Sequence, residues 1–448
     1  MKNSKTILIF QSIAVGLLTG LVVLLFRLGL NRGEAFRSMV YASLGTTAGA
    51  PQILLIIALA GILTLLGLAL GLLSARYPMI KGSGIPQIKG ELLGKMNHSW
   101  FPELPLKMVS GIAAIGAGLS LGREGPSVQM GAYTGKAFSY IRTVFGKTGE
   151  PSAVERRYLF ISGASAGLAA AFNAPLAGVL FVLEELHKHF SPLLLACVMG
   201  ACLAGDLVSG TIFGLKPAFS FPAIAPLSFS LFPWLVALGM ITAIGGDLFK
   251  RSLYAAQDLY KKMPIPDWTR PVIPMLASIP VGLFLFDASG GGHQLIEQLA
   301  HGQYTIGALA LLFTVKLLFT ALCYGAGTAG GIFLPLLACG ALLGTFVGTL
   351  LCSAGLCTEI EIVNFLILGM AACFTAVVRA PVTGAVLILE MSGNLSHLGS
   401  LVLVCLSAQI TAELLRSRPV YDALLRRQLD AQQDKKSSSP EFPDRQRI

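Results

Sequence analysis

Apolar residues in this chain gather into long runs separated by short polar clusters. Ile7–Phe26, Ile53–Leu73 and Leu231–Gly246 are each long enough to cross most or all of the hydrocarbon layer of a bilayer. Other apolar stretches, around 108–145 and 325–350, are cut short by glycine and proline. With 50 glycines and 23 prolines in 448 residues, a bundle of plain spanning helices is excluded. Breaks at membrane depth survive only where protein or a watery cavity satisfies the freed backbone groups. The pattern therefore predicts an all-α multi-pass membrane protein with broken and re-entrant helices around an interior pathway. Lys2 and Lys5 ahead of the first run imitate a signal peptide. The run is long, however, and no small-x-small cleavage site follows before Arg27, so it reads as a retained span.

Three patterns in the first half return in the second. Gly122-x-x-x-Pro126-x-x-x-x-Gly131-Ala132-x-x-Gly135 recurs 209 residues on as Gly331-x-x-x-Pro335-x-x-x-x-Gly340-Ala341-x-x-Gly344. Gly163…Ala174-Pro175-x-x-Gly178…Leu183-Glu184 recurs at an offset of 206 as Gly369…Ala380-Pro381-x-x-Gly384…Leu389-Glu390. A weaker pair, Gly82-Ser83-Gly84…Ile88 and Gly290-Gly291-Gly292…Ile296, lies at 208. A period this long is one multi-helix unit used twice rather than a solenoid. In membrane proteins such duplication marks transporters whose site lies between the copies. The copies are placed at 1–226 and 227–425, followed by a short polar, disordered tail at 426–448. They are inverted if each holds an odd number of crossings, a number the short segments leave open.

Composition and charge narrow the class. Apolar residues make up 54% of the chain and charged residues 12%, about half the usual globular share of charge. Much of the net charge of +10 comes from Lys250, Arg251, Lys261, Lys262 and Arg270, and from Arg416, Arg418, Arg426, Arg427, Lys435 and Lys436. These read as loops or tails beside apolar spans, which the positive-inside rule places in the cytoplasm together with both termini. A nucleic-acid partner is not expected. The eight cysteines show no Cys-x-x-Cys spacing and read as small buried hydrophobes. No metal site or organic cofactor is expected.

Each main box has the form glycine, three residues, proline, then small and apolar residues. Proline suits the first turn of a helix, so Gly82–Pro86, Gly122–Pro126 and Gly331–Pro335 each look like a loop feeding a helix N-terminus. Such ends offer free N–H donors and partial positive charge, and bind anions. Three of them converging would make an anion site without a buried lysine. The repeat also separates scaffold from chemistry. Glu184 is matched by Glu390, whereas Ser83, Glu124 and Glu185 face Gly291, Phe333 and Met391. A residue needed by the architecture should occur in both copies; the unmatched three are extras.

Each extra has an ordinary reading beside the functional one. Glu124 is either a capping carboxylate paired with Arg123 or a protonatable gate that mimics the anion and yields its place when protonated. Glu185 is either an interfacial acid near His187 and Lys188 or a proton acceptor on the cytoplasmic side. Ser83 caps a helix, donates to an ion, or does both. Tyr421 would ordinarily pass as an interface-belt tyrosine.

Gly82-Ser83-Gly84-Ile85-Pro86, Gly122-Arg123-Glu124-Gly125-Pro126 and Gly331-Ile332-Phe333-Leu334-Pro335 resemble the three signature boxes of the CLC chloride channel and transporter family. The resemblance runs from about residue 10 to 425. It implies a homodimer in a prokaryotic inner membrane, each subunit with its own pore and two inverted repeats, and helix N-termini meeting at a bound chloride. By motif, Ser83 and Tyr421 would coordinate the anion from the inner side, and the amides of Ile332 and Phe333 would complete the site. Glu124 resembles the external gating glutamate, and Glu185, in Phe181-Val182-Leu183-Glu184-Glu185-Leu186, the internal proton-transfer glutamate of the exchanger branch. The implied function is exchange of chloride for protons, two chlorides per proton; a passive voltage- or pH-gated chloride channel on the same fold is the alternative. An enzyme is not expected: a hydrolase built on Ser83 needs a base within hydrogen-bond reach, and no histidine lies in a confident span.

Overall fold

The computed structural model describes residues 2–145, 150–222, 227–394 and 397–438. Within them the chain is helical, with two isolated β-bridges in place of a sheet. The first half runs α1 (Lys2–Thr46), α2 (Ala50–Arg76), α3 (Ile85–Leu92), α4 (Glu103–Gly116), α5 (Glu124–Phe145), α6 (Ala153–Phe172), α7 (Pro175–Phe181) and α8 (Pro192–Phe213). The second runs α9 (Phe232–Lys262), α10 (Val272–Phe284), α11 (His293–His301), α12 (Ile306–Gly325), α13 (Phe333–Ser353), α14 (Ile362–Val378), α15 (Pro381–Ser392) and α16 (Leu398–Leu414), and α17 (Val420–Ser438) closes the chain. Eight helices thus answer eight in the same order. The expected boundary at 226 adjoins residues 223–226, which lie outside the described residues.

The duplicated glycines let helices touch. A Cβ on Gly163 would run into the carbonyl of Gly131, and one on Gly369 into that of Gly340. The α5–α6 and α13–α14 pairs therefore pack backbone to backbone, as small residues permit between membrane helices. These pairs form the centre: α13 is mostly buried, whereas α2 is mostly exposed and lies at the periphery. Gly84 and Gly292 take left-handed φ values of 92° and 107° just before α3 and α11, a conformation that costs glycine little.

The matched acids fix the relation between the halves. Glu390, at the end of α15, accepts from the amides of Leu176 (3.0 Å) and Ala177 (2.7 Å) at the start of α7. Glu184, just past α7, accepts from the amides of Val382 (3.3 Å) and Thr383 (2.8 Å) at the start of α15. Each half thus supplies the anion that caps the other half's Ala-Pro helix. For that exchange, α7 and α15 must lie head to tail, so the repeats are inverted. Glu184 and Glu390 are scaffold, as their presence in both copies indicated.

Two expectations are corrected. The tail does not become irregular at 426: α17 continues to Ser438, while 439–448 lie outside the described residues. Arg427 holds the helix to α9 through the carboxylate of Asp258, Gln257 Oε1 (3.1 Å) and the Tyr254 ring, so partners distant in sequence order this polar segment. Lys250 is no loop residue. It is buried in α9, where its Nζ donates to the carbonyls of Ala376 (3.4 Å) and Arg418 (3.2 Å). The cysteines behave as read: all eight are free and six are buried.

Candidate functional site

The three glycine boxes meet. Gly122 and Gly331 exchange both backbone hydrogen bonds at 2.7 Å, Gly82 N donates to Thr328 O at 3.0 Å, and Gly330 N donates to Gly82 O at 3.1 Å. The loop before α13 is therefore laced to the turns before α3 and α5. Close packing completes the convergence: a Cβ on Gly125 would strike Ser83, and one on Gly122 would strike the Glu124 carboxylate and lie 3.1 Å from Leu334 N. The starts of α3, α5 and α13 share one centre, where their free amides concentrate positive potential.

Glu124 sits in that centre fully buried, both carboxylate oxygens lacking a hydrogen bond of normal geometry. The amides of Arg123, Glu124 and Leu334 surround it. It forms no ion pair with Arg123, whose own Nε is unpaired, which disfavours the capping reading. The carboxylate lies at the head of α13, beside the amide of Leu334. Ser83 Oγ is likewise buried without a partner. It does not cap α3, whose N-cap is Gly84.

Ile332 is the N-cap of α13 and Phe333 its first residue, so their amides belong to the unsatisfied first turn. The Phe333 ring is held between Phe172 (centroids 5.2 Å) and Phe374 (4.8 Å). Tyr421, at the start of α17, is 1% exposed and meets the Phe181 ring edge-on at 6.4 Å, so it is not an interface-belt tyrosine. Its phenol lies within electrostatic reach of Glu185, Tyr324 and Glu124.

Glu185 lies on a π-helical turn, Val182–His187, that follows α7; such turns often mark functional positions. It too is 1% exposed. Its Oε1 accepts from Lys89 Nζ at 2.8 Å, which overturns the interfacial reading. The boxes thus bring Ser83, Glu124, Ile332 and Phe333 together, and the Tyr421 phenol lies within electrostatic reach of both Glu124 and Glu185.

Sequence reasoning missed four groups here. Lys107 and Lys316 are fully buried, contrary to the expectation of a centre without buried lysine. Lys107 Nζ donates to the carbonyls of Ile80 (2.8 Å) and Gly82 (2.6 Å), and Lys316 Nζ to those of Ala288 (3.2 Å) and Gly290 (2.7 Å). The turns expose carbonyls as well as amides, and each ammonium satisfies a pair of them. The two lysines stand 209 residues apart, a signal the repeat already contained. Tyr324, at the end of α12, places its hydroxyl beside Gly82 and Ser83. Arg27 is held by Ala170 O, Asn173 Oδ1 and Ser209 Oγ at 2.7–2.8 Å. It lines a cavity of about 330 Å³ with Glu34, Arg123, Lys216, His293 and Leu334. That cavity reaches Arg123 and Leu334 beside Glu124 and carries three cationic side chains against one acid, a polarity that draws anions.

Residues 66–413 match the family described as voltage gated chloride channel. The chain belongs to that family. It is 34% identical over 446 residues to the H(+)/Cl(-) exchange transporter ClcA of Yersinia pseudotuberculosis serotype IB, covering 97% of this chain and 91% of that one. It is 35% identical over 442 residues to the protein of the same name from Vibrio cholerae serotype O1, covering 96% and 92%. Among solved structures, a slow cyanobacterial Cl-/H+ antiporter superimposes with a TM-score of 0.88 at 30% identity, covering 95% of this chain and 99% of that one. The multi-pass CLC fold expected from the boxes is the fold found.

Proposed function

We propose that the chain is a secondary active transporter that exchanges chloride for protons across a membrane. The observation that carries the reading is the Glu124 carboxylate, buried and unpaired where three helix starts meet, with a second buried acid, Glu185, within electrostatic reach of Tyr421. Ser83 and Tyr421 would donate hydroxyl hydrogen bonds to the dehydrated anion, and the amides of Ile332 and Phe333 would complete its shell. Protonation neutralises Glu124 and lets it leave the helix starts; the anion then takes its place. Glu185 would load the proton from the cytoplasmic side. The named relatives support exchange over passive conduction, and a buried inner acid has no task in a simple pore.

Two chlorides per proton, a homodimer, a bacterial inner-membrane location, cytoplasmic termini and repeats divided at 226 and 425 complete the proposal. Leu203, Leu207, Val402, Leu406 and Ile410 project from α8 and α16 with 42–58% of their surface open. That apolar face could bury against a second copy, and light scattering of the detergent-solubilised protein at twice the chain mass would support it; a monomer mass would remove it.

Purified protein in chloride-loaded liposomes should take up protons as chloride runs out down its gradient, driving protons inward against their own gradient. Chloride flux whose reversal potential follows the chloride gradient alone, with no proton movement, would make the chain a channel.

A further inference from the structure

Lys89 is shared. Its ammonium is 2.8 Å from Glu185 Oε1 and in ion-pair contact with Asp422 of α17 as well. The Lys89 and Glu185 side chains are 6% and 2% exposed, whereas Asp422 is 40% exposed and also has Lys188 Nζ 3.6 Å away. Lys89 belongs to α3, the helix that starts beside Ser83, and Asp422 follows Tyr421 on α17. The Lys89–Asp422 bridge therefore pins together the two elements that carry the inner hydroxyls. Around Glu185 the charged groups are Lys89, Lys188 and Asp422, with Tyr421 also in reach; α6 brings Arg157 to His187 (3.4 Å), on the same turn as Glu185.

We infer that Lys89 is a positioning residue through which the proton on Glu185 acts on the inner side of the anion path. An ionised Glu185 competes with Asp422 for one ammonium, whose donors can serve both. A proton on Glu185 cancels its charge and most of its hold on Lys89, because a charge-assisted bond is about twice as strong as a neutral one. The ammonium then passes wholly to Asp422, and α3 is drawn to α17. Proton arrival from the cytoplasm thereby closes Ser83 against Tyr421, and proton departure loosens them. The proton that forms the O–H bond on Glu185 comes from the cytoplasmic side and returns to it or passes onward; the Lys89 ammonium keeps its own protons and changes only its ion-pair partner.

This inference rests on the proposed role of Glu185, and one set of liposome measurements separates the two. Chloride flux against internal pH, with the chloride-to-proton ratio, is compared for wild type, Glu185→Gln, Lys89→Gln, Lys89→Arg and Asp422→Asn. Losing the cation should move the Lys89→Gln profile toward alkaline pH by about one unit or more, the size of a close opposite charge. Asp422→Asn should move it toward acid pH, since Lys89 then serves Glu185 alone, and should let extra chloride pass per proton. Lys89→Arg should restore the wild-type profile. Opposite shifts support the lock, because damage to folding alone would not change sign between variants. If Lys89→Gln does not fold, Asp422→Asn at its half-exposed position carries the test. Profiles that coincide with wild type, or shift in the same direction, overturn the lock while Glu185→Gln still uncouples. Proton coupling that persists in Glu185→Gln instead removes Glu185 from the scheme.

Discussion

Glu124→Ala is expected to stop proton movement and leave chloride moving. The side chain is fully buried among the amides of Arg123, Glu124 and Leu334, and its removal leaves those donors in place. What disappears is the acid at the joined helix starts, and with it, on the proposed mechanism, the carrier of the proton past the bonded Gly122 and Gly331. General acid–base groups contribute about 100-fold or more, so proton flux should fall to liposome background. The vacated place at the head of α13 retains its amides and can accept an anion. Paired pH and chloride electrodes give the two fluxes, and the reversal potential should shift to the chloride equilibrium value. Bromide soaked into crystals of the variant should add an anomalous peak beside Leu334 N. Proton flux at more than about a tenth of wild type would falsify the gate, since acid catalysis by another group would have to supply that rate.

The architecture was legible because the repeat converts one chain into two comparable sequences. Glycines and prolines that recur mark turns and close contacts, and Glu184 and Glu390 could be set aside as scaffold for the same reason. Glu124, Ser83 and Glu185 stood out by lacking a match. Pairing across the fold was not legible. Lys89 lies 96 positions from Glu185 and meets it only because α3 and the π-turn pack side by side. Nothing local in Ile88-Lys89-Gly90 indicates that face. The helical course of 426–438 failed for the same reason: polar composition argues for solvent unless Asp258 and Gln257 are known to face it. Lys107 and Lys316 differ, since their spacing equals that of the boxes. A search for matched charges, beside matched glycines, would have found them. The sequence argument looked for donors to the anion and overlooked that the same turns have carbonyls needing donors of their own.

Lys107→Met should weaken chloride binding far more than it weakens the fold. Two effects oppose each other in stability. Methionine leaves the carbonyls of Ile80 and Gly82 without the ammonium, at about 1–3 kcal/mol for each buried acceptor left unsatisfied. It also removes a fully buried charge that has no carboxylate within ion-pair distance among the described residues, and relief of that desolvation offsets much of the loss. The anion feels no such compensation. Gly82 O is 2.6 Å from the ammonium and Ser83 is the next residue, so the charge stands roughly 6–10 Å from an ion at Ser83 Oγ by backbone dimensions. At an effective dielectric constant of about 20, that attraction is about 1.7–2.8 kcal/mol, or on the order of 20- to 100-fold in affinity. Isothermal titration with chloride, or the chloride dependence of thermal unfolding, should therefore show binding weakened to that extent in Lys107→Met and largely retained in Lys107→Arg. Affinity within about threefold of wild type, far less than a charge at this distance supplies, would mean that backbone amides alone hold the ion and that Lys107 serves only the turn.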